Sequence, residues 1–99
     1  MFARVLKRMR EMVRRGEYVM TTHADEEADA DELSIFDVES AILTGVILER
    51  QEDQETREWK YVVRGEAIDG SAVFVVAKFG ASQKLLYIIT VYDCICEIT

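Results

Sequence analysis

The sequence predicts an α+β domain in which N-terminal helices pack on one face of a mostly antiparallel four-stranded sheet. Three observations predict it. Apolar residues recur at helical spacing as far as Gly45 and alternate with a period of two after it. Asp69-Gly70 separates two of the alternating runs, which is a strong hairpin signal. The chain holds no proline, so nothing breaks these runs from within. With 99 residues, 49% of them apolar, residues 1–99 are expected to form one domain with a small core.

Each element follows from its own residues. Phe2, Val5, Leu6, Met9, Met12 and Val13 make one apolar stripe of an amphipathic helix. Arg4, Lys7, Arg8, Arg10, Arg14 and Arg15 fill the rest of its surface, and Gly16 is a natural stop. Two readings of this basic helix stand. It packs its stripe on its own domain with its charges in water, or the same surface also meets phosphate or an acidic partner. Residues 17–21 read as a short extended run. Thr22 then caps an acidic, alanine-rich helix over residues 22–32, with Asp25 at its third position. Ser34 opens the next helix, and Asp37 completes a capping box three residues on. Ile35, Phe36, Val38, Ala41, Ile42 and Leu43 supply its buried side before Gly45 ends it. Strands are predicted over residues 46–50, 57–67, 71–79 and 84–92.

Alternation sorts the last three strands into two faces. Trp59, Tyr61 and Val63, then Val73, Val75, Ala77 and Phe79, then Leu85, Tyr87, Ile89 and Val91 are expected beneath the helices. Lys60, Val62 and Arg64, then Phe74, Val76 and Lys78, then Leu86, Ile88, Thr90 and Tyr92 oppose them. This second face is either a solvated surface with scattered lysines or a half-open basic and hydroxylic surface built from Lys60, Arg64, Lys78, Thr90 and Tyr92.

Charge is segregated along the chain. The net charge of −7 divides into +5 over residues 1–16, −12 over residues 17–58 and zero over residues 59–99. Such an acidic total opposes non-specific nucleic-acid binding, while the basic helix offers a local exception. No apolar run approaches the ~20 residues that span a membrane. The basic N-terminus is followed by no apolar signal core, so a cytoplasmic location is expected. Cys94 and Cys96 stand too close together for the usual zinc spacing and read as reduced thiols.

His23 is the only histidine, and it sits where the short extended run turns into the acidic helix. That end of a helix is accessible and carries the positive pole of the helix dipole. His23 is either a surface residue without chemistry or a proton carrier working near neutral pH. With Glu26 or Glu27 it also has the i, i+3 or i, i+4 spacing of two metal ligands; solvated charges explain the same pattern.

Together these stretches carry a resemblance. Thr21-Thr22-His23-Ala24, then Glu26-Glu27, the run from Leu33 to Gly45, Asp69-Gly70 before Val75-Val76, and Ile88-Ile89-Thr90-Val91-Tyr92 follow one another over residues 18–92. This order resembles a bacterial family of small domains of unknown function with a Thr-x-His-Ala start and an Ile-Ile-Thr-x-Tyr final strand. That family is similar in fold to RelE/barnase-like toxin nucleases and to MqsR-like toxins of toxin–antitoxin pairs. The resemblance implies a metal-independent endoribonuclease acting on mRNA without a cofactor, restrained by a small antitoxin, in some cases a zinc-finger protein of the MqsA type. It implies His23 as base or acid and Tyr92 as proton donor or phosphate contact. Arg64, Lys60 and Lys78 join them as phosphate holders, with Thr90 beside them, from the face argument. The chain departs from the common pattern in having Glu26-Glu27 where many members place an arginine, and Phe74 where many place a second histidine.

Two other readings accompany the nuclease. One is a non-catalytic interaction module of the same fold, in which the +5 and −12 segments meet a small partner or a second copy in a homodimer. The other is a metal-dependent hydrolase built on His23, Glu26 and Glu27.

Overall fold

A computed structural model describes residues 2–93. Its order is α1 (Ala3–Arg14), β1 (Tyr18–Met20), α2 (Thr22–Ala30), α3 (Ile35–Thr44), β2 (Val46–Glu52), β3 (Trp59–Glu66), β4 (Ala72–Phe79) and β5 (Leu86–Asp93). The fold is α+β, as the change of period predicts. Cys94 and Cys96 lie outside the described residues. Among the described residues no helix is long and apolar enough to cross a membrane.

The sheet departs from expectation in strand number and in direction. It has five strands in the order β1-β5-β4-β3-β2, and β1 joins β5 in parallel while the other pairs are antiparallel. The run at residues 17–21 is too short to show alternation. Its partnership rests on backbone groups: Leu86 N–H donates to Glu17 O at 3.1 Å and Thr21 N–H to Ile88 O at 3.0 Å. Side-chain pattern therefore carries no trace of it.

The face assignment needs one correction. Val76 pairs with Thr90 and Ala77 with Ile88, so Ile89 is an extra residue in β5. A bulge of this kind reverses the parity of a strand. Val91 is fully buried as expected, but Leu86 and Ile88 take the core face in place of Leu85, Tyr87 and Ile89. Thr90 and Tyr92, beyond the bulge, keep their predicted face. A second irregularity at Leu48 does the same to β2 and leaves that leucine half exposed.

One core joins the layers. Met9, Met12 and Val13 of α1, Ala24 and Ala28 of α2, and Val38, Ala41 and Ile42 of α3 pack with Tyr61, Val63, Val73, Val75, Ala77, Leu86, Ile88 and Val91. The helix ends are well satisfied. Gly16 adopts φ +72° after α1, and Glu17 N–H returns to Met12 O at 2.8 Å. Thr21, and not Thr22, caps α2: its Oγ1 accepts from Ala24 N–H at 3.2 Å. Thr21 can do so because its own N–H already extends the β1–β5 ladder. The Ser34–Asp37 capping box forms as predicted. Arg10 of α1 donates to Gly45 O at 2.8 Å, which closes the C-terminus of α3. The Tyr18 hydroxyl donates to Glu39 at 2.5 Å and ties β1 to α3; burial first, then that carboxylate, push its pKa up to about 12.

Helix α3 lies directly on β3. A Cβ added at Gly65 would stand 1.8 Å from the Ala41 carbonyl oxygen, so only glycine permits this approach. Gly65→Ala is expected to cost about 3 kcal/mol, as overpacking against an unyielding backbone does. Urea unfolding would register it as a lower midpoint with an unchanged slope.

Asp37 links α3 to the turn between β3 and β4. Its carboxylate accepts from Ser34 N–H at 2.9 Å and from Ile68 N–H at 3.0 Å. Those two backbone donors, Ser34 foremost, hold its carboxyl below the usual carboxylate range. The sign follows directly: the contribution is complete above the unfolded value near pH ~4 and disappears as pH falls through the lower folded value. Asp37→Ala is expected to lose about 1–2 kcal/mol at neutral pH. Below pH ~4 the gap between variant and parent should narrow in urea titrations run across pH.

Candidate functional site

The site grows out of a problem at the outer edge of β5. Strand β1 pairs with Leu86, Tyr87 and Ile88, so beyond Ile88 the edge of β5 opposite β4 has no strand beside it among the described residues. Helix α2 takes that place. Thr21 Oγ1 donates to Ile89 O at 3.4 Å, Glu27 Oε1 accepts from Val91 N–H at 3.2 Å, and Asp31 Oδ2 accepts from Asp93 N–H at 3.0 Å. Side chains four apart on a helix climb ~6 Å, while alternate residues of a strand advance ~6.7 Å. Glu27 and Asp31 therefore meet successive outward N–H groups of β5.

His23 continues this stripe one turn earlier. Its Nε2 lies 3.2 Å from Glu27 Oε1, the same oxygen that accepts from Val91. Glu27 is a carboxylate already held by a backbone donor, so it acts as acceptor and Nε2 carries the hydrogen. In the neutral form of the ring Nδ1 then holds the lone pair. The His23 side chain is 66% exposed and Glu27 30% exposed, so the imidazole reaches solvent while its orienting partner is half covered. The arrangement suits proton transfer: an accessible basic nitrogen on a ring whose other nitrogen is anchored.

The remaining predicted residues fall on the sheet face without helices. Arg64 pairs across β4 with Phe74, and Phe74 with Tyr92, in one row. The Phe74 and Tyr92 rings stack at 4.9 Å with 6° between their planes. Val62, Val76 and Thr90 form the adjacent row. Lys60 and Lys78 share this face, yet both are engaged: Lys60 Nζ lies 3.8 Å from Asp53 and Lys78 Nζ 3.5 Å from Glu58. Arg64 is exposed, and among the described residues its guanidinium makes no ion pair. The structure thus places Arg64, Thr90 and Tyr92 on one face, Arg64 two strands away from the other two, and gives the two lysines acidic neighbours. His23 stands at the β5 edge, outside this face.

Glu26 is exposed and shares no contact with His23, while Glu27 does. Among the described residues no group of three histidine, cysteine, aspartate or glutamate side chains is arranged to hold a metal. Glu27 and Asp31 are edge partners of β5, not the solvated charges that their composition suggests. The signal was present in the spacing of His23, Glu27 and Asp31, four residues apart each time and one position ahead of buried Ala24 and Ala28.

A protein-family model described as a domain of unknown function (DUF4258) matches residues 20–93. The match runs from the end of β1 through β5, so it contains His23, Glu27, Arg64 and Tyr92 and leaves out α1. No curated protein and no solved structure matches the chain.

Glu27→Ala and Asp31→Ala each strip an acceptor from an outward N–H of β5. Each is expected to lower stability by about 1–3 kcal/mol. Hydrogen exchange should accelerate at Val91 in the first variant and at Asp93 in the second, while the amides of β3 change little.

Proposed function

We propose that this chain, which belongs to the family described as a domain of unknown function (DUF4258), is a toxin-type endoribonuclease domain that works without a metal and uses His23 as its proton carrier. The observation that carries the reading is the chain of contacts from Val91 N–H to Glu27 to His23, which leaves Nδ1 free on an accessible ring. Helices packed on one side of an antiparallel β2–β5 meander support a RelE/barnase-like, MqsR-like kinship. RNA suits such a centre because it brings its own nucleophile. His23 Nδ1 takes the proton of a 2′-hydroxyl as the O2′–P bond forms and the P–O5′ bond breaks. The leaving 5′-oxygen receives a proton from Tyr92, and the imidazolium proton restores the phenol through water. The products are a 2′,3′-cyclic phosphate and a 5′-hydroxyl. For His23 and Tyr92 to serve one phosphate, that phosphate lies across the β5 edge that separates them, and Arg64, two strands from Tyr92 with Phe74 between, holds a flanking phosphate of the strand, with Thr90 on the same face. Lys60 and Lys78 add to this once Asp53 and Glu58 release them. A small antitoxin, of the zinc-finger MqsA type or another, would silence the domain by covering the face that bears Arg64 and Tyr92.

One observation favours a second reading. Lys60 and Lys78 are already neutralised, which leaves Arg64 as the unengaged cation of that face among the described residues. A non-catalytic module of the same fold, binding a small partner protein there, needs no more than this.

Cleavage of a mixed-sequence RNA in the presence of a chelator separates the two readings. The nuclease reading expects 2′,3′-cyclic ends from the parent chain and a 10²–10⁴-fold loss in His23→Ala, the usual contribution of a general acid or base. Glu27→Gln should slow the single-turnover rate and leave RNA affinity unchanged, because it acts by positioning His23. Absence of cleavage by the folded parent chain overturns the nuclease and leaves the interaction module.

A further inference from the structure

A groove of about 570 Å³ opens on the helix side, where β3 begins and β4 ends, far along the sheet from the Arg64–Tyr92 row. Arg4, Val5 and Arg8 of α1 form one wall, Gly80, Ala81 and Gln83 of the β4–β5 turn the other, and Trp59, Tyr61 and Phe79 the floor. Its volume falls within the range of small-molecule sites. Trp59 is 42% exposed, a large aromatic left open beside cationic side chains.

The walls are held in place before any ligand arrives. Arg8 donates to Gln83 Oε1 at 2.8 Å and to Gln83 O at 2.5 Å, and its guanidinium lies 4.7 Å from the Phe79 ring centre. This fixes Gln83 at φ +63°, a conformation that non-glycine residues reach only when their surroundings hold them there. On the other side Arg57, also at φ +63°, leads the chain into Glu58 and Trp59. Arg50 stacks 3.8 Å from the Trp59 ring centre and holds that indole from one side. Tyr61 meets Phe79 and Phe2 edge-on, at 6.1 and 6.0 Å.

Two donors in this groove are unspent. Among the described residues neither the Arg4 guanidinium nor the Trp59 indole N–H makes a hydrogen bond or ion pair. The acid in the lining, Glu58, is partly neutralised by Lys78 at 3.5 Å. The groove also belongs to the basic part of the chain, residues 1–16 with a net charge of +5 in a protein of −7, so an anion approaching this molecule is drawn here. A ligand that satisfies the lining needs a flat π surface for the indole and an anionic group for Arg4. An aromatic base joined to a phosphate has both.

We propose that the groove between α1 and the start of β3 binds a nucleotide, with its base on Trp59 and its phosphate on Arg4. The nucleotide comes either free or as one unit of a single-stranded RNA. The proposal goes beyond the nuclease reading and shares no residue with it.

Trp59 is the only tryptophan, so its fluorescence reports on this groove alone. Titration of the intact chain with AMP, and separately with a short single-stranded oligoribonucleotide, is expected to quench it to saturation. Adenosine and inorganic phosphate should each bind more weakly than AMP. Arg4→Ala keeps the reporter and removes a side chain that, among the described residues, makes no hydrogen bond or ion pair. It should weaken AMP or oligoribonucleotide binding roughly tenfold, as loss of one charge-assisted contact does, and should flatten the salt dependence. Quenching by both ligands identifies a site for the nucleotide itself; quenching by the oligoribonucleotide alone identifies a site for nucleotides carried in a strand. No saturable change with either ligand, or equal affinity in Arg4→Ala and the parent chain, overturns the proposal. His23→Ala is expected to leave the titration unchanged, so loss of cleavage and loss of binding are read separately.

Discussion

The backbone edge of β5 is the constraint to which the rest of the molecule answers. A strand that ends a sheet presents N–H and C=O groups that must find partners, and each buried group left without one costs about 1–3 kcal/mol. Here three residues of β1 satisfy the first part of the edge, and carboxylates of α2 satisfy the second. A helix can stand in for a strand in this way because the spacing of its i, i+4 side chains nearly equals the repeat of a pleated chain. The solution dictates composition. Helix α2 must be acidic on the side facing β5 and small, with Ala24 and Ala28, on the side facing the core. It also delivers His23 with its orientation already set.

How much of this the sequence reveals depends on whether an interaction leaves a periodic trace. The Ser34–Asp37 box, the Gly16 stop and the Asp69-Gly70 turn are local, and each appears where its residues predict it. The partnership of β1 with β5 is made by main-chain atoms separated by most of the chain, and no side-chain pattern encodes it. The bulge at Ile89 is invisible for a related reason. Leu86, Tyr87, Ile88 and Ile89 are all apolar, so parity cannot be read through them. Counting back from Tyr92 gives the right face for Thr90; counting forward from Leu85 gives the wrong one for Leu86 and Ile88.

The candidate site was legible in proportion to the rarity of its residues. A lone histidine beside a helix start is conspicuous, and strand alternation is enough to gather Arg64, Thr90 and Tyr92 on one face. The neutralisation of Lys60 and Lys78 was not legible, because it depends on how the loop at Asp53 turns back over Lys60 and on the β3–β4 register that sets Lys78 near Glu58, and alternation along one strand gives neither. Trp59 and Phe79 were assigned the correct face. Their exposure depends on how far α1 reaches over the sheet, and that distance is a property of packing. Arg8 shows the same limit from the other side: in the sequence it is one cation among six in α1 and its cap, and in the fold it is the clamp on a left-handed glutamine.

The two borders of the sheet are finished differently. At one, α2 covers the β5 edge beyond Ile88 while the three-residue β1 is the outermost strand; at the other, β2 pairs with β3 alone among the described residues and keeps Val46 and Leu48 in the open. Addition of a strand is therefore favoured along the seven residues of β2 and opposed along β5 beyond Ile88. Asp31, the C-cap of a nine-residue helix, holds the Asp93 N–H and so keeps that donor from an incoming strand, a small guard against the edge-to-edge pairing that open β borders invite.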